Sequence, residues 1–266
     1  MELESTIFHA TDAVLPRRAR GDAPATVDLD SANEELAESS AVEVVQWAAA
    51  TFGRGLALSS SFGAQSAVML HLVTRIVPEL PVVFIDTGHL FPETYRFAES
   101  LRERLQLRLV VCSPQMTTAR QEALYGKLWD QGEAGVRRYL EMNKVEPMQR
   151  ALRDLGVTAW MAGLRGSQTE HRRSLRKVEL QDGRVKIHPI LDWSAADVEA
   201  YLQEHDLPRH PLYDQGYRSI GDVHSTWPVA PEEDERAGRM LGVQKECGLH
   251  LPLTREQNLS LGSAKL

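Results

Sequence analysis

From Leu56 onward, short runs of apolar, often β-branched residues alternate with stretches of helical apolar spacing, one pair about every 25 residues. Leu56 to Ser60, Pro81 to Ile85 and Leu107 to Cys112 read as strands, with helices over Gln65 to Ile76 and Glu93 to Leu105 between them. Parallel strands need such crossovers, and right-handed crossovers build an α/β, doubly wound, mostly parallel sheet covered on both faces. Ligands in such a sheet bind outside the carboxyl ends of the strands. The pattern continues with a helix over Val145 to Leu155 and a strand over Thr158 to Ala162. Val178 to Leu180 and Arg184 to Ile187 flank Gln181-Asp182-Gly183, a hairpin signal. Ser194 is a suitable N-cap for a helix over Ala195 to Glu204. An earlier helix starts at Ala41 and ends at Gly53. Residues 1–35, with Pro16, Gly21 and Pro24 and no sustained period, are expected to be loosely ordered. Residues 36–230 then form one nucleotide-binding domain, and 231–266 a mobile C-terminal segment.

The 266 residues carry a net charge of −7, which disfavours nucleic acid and anionic membrane surfaces as partners, so any anion binding must be local. No apolar run approaches the roughly 18 residues of a membrane helix, and the N-terminus lacks a secretory signature, so a soluble cytoplasmic protein is expected.

Three stretches sit where a ligand is expected. Ser59, Ser60, Ser61, Phe62 and Gly63 follow the first strand, where small residues let backbone amides converge on a phosphate. The loop lacks the Walker lysine and second glycine, and an ordinary turn capped by serines is the competing reading. Asp86, Thr87 and Gly88 follow the second strand; a capped turn accounts for them almost equally well. Between Arg165 and Lys177 five cations, among them Arg172 and Arg173, stand against Glu170 alone. Such a loop either clamps phosphate or sulfate oxygens or is a solvated basic surface. His210 and His224 have no partner at metal-ligand spacing, so no metal site is expected; His188 and His205 read as a strand-end and a helix-end residue.

Of two cysteines, Cys112 lies in an apolar run and reads as buried core. Cys247 stands in Lys245-Glu246-Cys247-Gly248-Leu249-His250. An unperturbed thiol near pKa ~8.5 needs positive neighbours to become a nucleophile, and Lys245 and His250 can supply them. The hexapeptide alone reads equally as a catalytic thiol or as a cysteine in a terminal loop.

Ser59 to Gly63, the Asp86-Thr87-Gly88 turn, Asn143-Lys144-Val145-Glu146-Pro147, Ala162-Gly163-Leu164-Arg165 and Glu246-Cys247-Gly248-Leu249-His250 together resemble the phosphoadenylyl-sulfate (PAPS) reductase family, from about Ala41 to Leu251. The resemblance implies an adenine nucleotide α-hydrolase-like fold and sulfite production for cysteine synthesis. It implies Cys247 as nucleophile, His250 and Lys144 as its assistants, and Ser59 to Gly63, Asp86 to Gly88, Arg165, Arg172 and Arg173 as substrate contacts. It also implies a homodimer and an external reductant, thioredoxin or glutaredoxin, since a buried Cys112 leaves no resolving thiol. ATP-splitting members of this superfamily show Ser-Gly-Gly-x-Asp-Ser where this chain has Ser59 to Gln65 without an acidic residue. In adenylyl-sulfate reductases two cysteine pairs hold an iron–sulfur cluster; the matching positions here are Tyr139 with Leu140 and Asp222 with Ser225. Two cysteines cannot supply four thiolates, so no bound cofactor is expected. Gly166 stands where the family commonly has the second of two adjacent arginines, so the resemblance passes some anion contacts to Arg172 or Arg173. A cluster-free adenylyl-sulfate reductase and a non-catalytic nucleotide-binding regulator are the alternatives.

Overall fold

The computed structural model describes residues 27–230, 232–239 and 248–249. In chain order the elements are α1 (Leu29–Glu35), α2 (Ala41–Phe52), β1 (Leu56–Ser59), α3 (Ala67–Ile76), β2 (Pro81–Ile85), α4 (Pro92–Arg104) and β3 (Arg108–Cys112). There follow α5 (Thr118–Tyr125), α6 (Gly132–Leu140), α7 (Glu146–Asp154), β4 (Ala159–Ala162), α8 (Glu170–Arg173), β5 (Val178–Gln181), β6 (Arg184–Ile187) and α9 (Ala195–Glu204).

The strands form one sheet in the order β3-β2-β1-β4-β6-β5, parallel except for the β5–β6 hairpin. Winding runs outward from β1 to β3 and then reverses to β4, so the chain leaves β1 and β4, neighbours in the sheet, in opposite directions. That reversal opens a crevice at their carboxyl ends.

Strand side chains alternate between two cores. Leu56, Leu58, Val82, Phe84, Ala159 and Met161 enter the core shared with α2, α3, α4 and α9. Ala57, Val83, Trp160 and Ala162 point the other way, onto Met148, Ala151 and Leu152 of α7. Both faces are therefore dry, which explains why these strands read as near-continuous apolar runs. The hairpin turn has Asp182 at φ 52° and Gly183 at φ 74°, the left-handed pair that an Asp-Gly turn supplies.

Two expectations need correction. Residues 27–35 are not loose: Asp28 caps α1, Ala32 and Leu36 are buried, and the Asn33 amide pairs with the backbone N–H (3.1 Å) and C=O (2.8 Å) of Val178. Lys177, from the basic loop, is buried and donates to the carbonyls of Leu36 (2.9 Å), Ala37 (2.8 Å) and Ser39 (3.2 Å). This helix thus covers the outer strand edge, a job that required a polar rather than an apolar signature. Residues 1–26 lie outside the described residues. Cys112 is not fully buried either, but packs at the margin of the second core. β3 is an edge strand, Val111 is exposed, and Cys112 is half-buried, with burial raising its thiol pKa.

His188 and His210 are buried, and burial lowers both pKa values, that of His210 from 6.5 to about 4. The unfolded chain therefore binds protons on these rings near pH 6.5 that the fold excludes, so stability is lost as pH falls through this window. Denaturant midpoints should drop between pH 7 and pH 5, with the His210 ring still neutral at pH 5 by nitrogen-15 NMR; a ring protonated at pH 5 contradicts the assignment.

Candidate active site

The crevice between β1 and β4 is a cleft of about 230 Å³. Its walls include Ser59 at the end of β1 with Ser60, Ser61 and Gly63 after it, Thr87 after β2, and Ala162 at the end of β4 with Gly163 to Arg165 after it. Thus the three loops singled out by position converge. Gly163 has no room for a side chain, since a Cβ there would stand 2.7 Å from Met69 Cγ of α3.

Two of the basic-loop arginines turn inward. Arg165 and Arg172, 3% and 4% exposed, line the cleft. Arg165 donates to Gln65 Oε1 (2.8 Å) and pairs with Glu235 (3.1 Å), while Arg172 is hydrogen-bonded to Gln168. Thr169 caps α8, and this short turn points Arg172 inward and leaves Arg173 exposed, away from the cleft. The loop is therefore a clamp at one end and a solvated surface in part.

Lys144 arrives by a different route. α6 and α7 are joined by a π-helical turn over Glu141–Val145, a widened turn that often marks a functional site. Asn143 inside it is fully buried and exchanges hydrogen bonds of 2.9 Å in both directions with Gln121 of α5. This pin sets Lys144, 7% exposed, into the cleft wall, where its Nζ lies 2.7 Å from Asp222 Oδ2. The other carboxylate oxygen accepts from Thr87 Oγ1 at 2.6 Å. Burial alone raises the Asp222 pKa, but the Lys144 ammonium and the Thr87 hydroxyl outweigh it and bring the value down to about 2. Beside this pair, His224 stacks on Trp129 (3.9 Å) and meets Tyr139 and His89 edge-on. Burial lowers the His224 pKa to about 4, so the ring is neutral. Tyr139, Leu140, Asp222 and Ser225 are all buried in this region, and none offers a thiolate. Among the described residues, no group of three or more His, Cys, Asp or Glu is placed to hold a metal.

Several expected residues take structural positions instead. The Phe62 side chain, at φ 48°, packs on Phe84 in the core rather than lining the cleft. Asp86 Oδ1 accepts from Gly88 N (2.8 Å) and Tyr95 Oη (2.6 Å), closing the turn. Gly88 is needed at φ 73°, where a Cβ would also meet Thr118 Cγ2 at 2.6 Å. In the serine loop, Ser60 N donates to Val83 O and Phe62 N to Ser60 Oγ, so the amide cradle narrows to the Ser61 and Gly63 to Gln65 stretch. Cys247 and His250 lie outside the described residues. Leu249, two residues beyond Cys247, lines the cleft, and its carbonyl accepts from Gln181 Nε2 at 3.1 Å.

Sequence reasoning missed four contributors. Arg218, Arg236 and Arg239 also line the cleft, which brings its cations among the described residues to six with Lys144, Arg165 and Arg172. Arg239 is buried, with its guanidinium against Gly221. Asp222 is the fourth. The spacing of Arg236 and Arg239 in Glu235-Arg236-Ala237-Gly238-Arg239 was the available signal, but nothing local places residues this far along the chain over β1. Six cations, two of them paired with Asp222 and Glu235, are thus gathered in one cleft of a protein of net charge −7.

Residues 55–228 match the model of the phosphoadenosine phosphosulfate reductase domain. The phosphoadenosine 5′-phosphosulfate reductase of Synechocystis sp. is 53% identical over 242 residues, covering 90% of this chain and 97% of that protein. A crystal structure of PAPS reductase from Candida auris, a phosphate complex, superposes with a TM-score of 0.66 at 35% identity, over 75% of this chain and 96% of that one. An FMN adenylyltransferase from Candida glabrata shares the fold at a TM-score of 0.51 and 17% identity, over 89% of this chain and 82% of that one. The matched domain spans both walls of the cation-lined cleft, and on this agreement the chain belongs to the phosphoadenosine phosphosulfate reductase family.

Proposed function

We propose that the protein reduces PAPS to sulfite and adenosine 3′,5′-bisphosphate in assimilatory sulfate reduction. The observation that carries this reading is the six-cation cleft at the switch point of the sheet, with Leu249 of the Cys-Gly-Leu-His segment on its wall. A ligand with a 3′-phosphate, a 5′-phosphate and a sulfonate matches that charge. An adenosine moiety suits the apolar part of the lining, which includes Met69, Val83 and Leu164.

In the first step the Cys247 thiolate attacks the sulfonate sulfur. An S–S bond forms, the S–O bond to the phosphate breaks, and its electron pair leaves on the phosphate oxygen. Lys144, Arg165 and Arg172 offset charge on the phosphosulfate oxygens, where fixed donors lower the barrier most. His250 assists formation of the thiolate or orients the sulfonate. In the second step one thiolate of an external dithiol, thioredoxin or glutaredoxin, attacks Cys247 Sγ and expels sulfite. Its second thiol then closes the dithiol's own disulfide and returns Cys247 as thiolate, a net two-electron reduction. Half-buried Cys112, on the edge strand β3, is not needed by this scheme. A homodimer and a cytoplasmic location belong to the same reading; among the described residues no helix is long and apolar enough to cross a membrane.

A Cys247→Ser variant should bind adenosine 3′,5′-bisphosphate as the parent does and form no sulfite from PAPS; sustained sulfite formation by it rejects the scheme. In the parent, PAPS should be used in preference to adenylyl sulfate in a thioredoxin-coupled assay, and equal use reassigns the substrate. Charge-assisted bonds contribute about 1.5 to 3 kcal/mol, so Arg165→Met should lower kcat/KM by about 10- to 150-fold. Arg173→Met, altering an exposed side chain outside the cleft, should stay within about twofold of the parent. Equal losses in the two variants would show that the cleft geometry does not select the substrate contacts.

A further inference from the structure

Lys144 and Thr87 face the cleft, whereas Asp222 is fully buried and stands behind them, bonded to both. Its place is fixed by more than these two contacts. The backbone of Asp222 makes an isolated antiparallel bridge with Leu90, and the next residue, Val223, donates its N–H to His89 O at 2.8 Å. Asp222 therefore joins three elements far apart in sequence: the loop after β2, the π-helical turn, and the segment after α9.

A lysine ammonium is a point charge on a flexible stem, and it acts on a reacting group only if its stem is held. We propose that Asp222 is the positioning residue for Lys144: its carboxylate, oriented by Thr87, holds the ammonium against the cleft wall so that its remaining donors meet the phosphosulfate. This rests on the reading of Lys144 as a stabiliser of the reacting anion. The carboxylate lies behind the ammonium and out of the lining, so it aligns the cation without presenting its own charge to the substrate. The neutral rings of His224 and Tyr139 beside it keep water from competing for the pair. Thr87, expected from the sequence to touch substrate, gains a second role as the anchor of Asp222.

The test is a double-mutant cycle read by single-turnover release of adenosine 3′,5′-bisphosphate from PAPS, with Asp222→Asn and Lys144→Met alone and together. Loss of aim at a reacting centre costs up to about 100-fold, so Asp222→Asn should slow the parent by about 10- to 100-fold. It should leave affinity for adenosine 3′,5′-bisphosphate, which lacks the sulfonate, little changed, and should add no further loss in the Lys144→Met background. Equal slowing in both backgrounds shows that Asp222 acts independently of Lys144 and overturns the proposal, as does an unchanged rate in the Asp222→Asn enzyme. Normal single turnover by Lys144→Met overturns the role of Lys144 itself, whereas a slow Lys144→Met enzyme beside a normal Asp222→Asn enzyme overturns only the positioning. Thr87→Val keeps the carboxylate but removes its second donor; should Asp222→Asn fail to fold, the same cycle with Thr87→Val, judged by the same outcomes, decides the matter.

Discussion

Six like charges cannot be gathered in one cleft unless something holds them there before the ligand arrives. The structure meets this constraint with internal acceptors: Asp222 for Lys144, Glu235 and Gln65 for Arg165, and Gln168 for Arg172. The choice of partner differs with depth. Asp222 is fully buried, and removing its charge would strand an ammonium, the costly way to break a buried pair. Glu235 is partly exposed, so its pairing with Arg165 is screened by water and costs less to break.

The sheet supplies the geometry that this charge arrangement requires. Because β1 and β4 are adjacent while their connections diverge, the serine loop and the arginine loop face each other without crossing. Dry packing on both faces of those strands keeps the two loops in register. Small residues at the strand ends, such as Gly163 against Met69, let the loops close in. The third wall comes from the π-helical turn, whose extra residue per turn rotates Lys144 inward while Asn143 is tied to Gln121.

Much of this was legible from the sequence because it is periodic. The strands β1, β2 and β4, the hairpin with its Asp182-Gly183 turn, and α9 with its Ser194 cap fall where apolar spacing and turn residues put them. Edges were harder. β3 has the composition of a central strand yet lies at the rim, and α1 is held by Asn33 and Lys177, polar anchors with no periodic signature. At the cleft, strand-end position was enough to point to Arg165, Arg172, Ser59 to Ser61 and Thr87, which line it. The same positional logic pointed to Asp86 and Gly88, which do not line the cleft and instead close their own turn, because a turn's hydrogen bonds use the same residue types as a binding loop. Arg218, Arg236 and Arg239, and Asp222 behind the wall, were missed because only tertiary contacts bring them to the site.

The account stands on a sulfur-to-sulfur transfer onto Cys247. Intact-protein and peptide mass spectrometry after mixing the reduced protein with PAPS, in the absence of any dithiol, measures that transfer directly. The account predicts one sulfonate per chain, localised to the peptide containing Cys247 and removed by thioredoxin with stoichiometric sulfite. An unmodified Cys247 alongside released adenosine 3′,5′-bisphosphate, or a sulfonate found on Cys112, would contradict it.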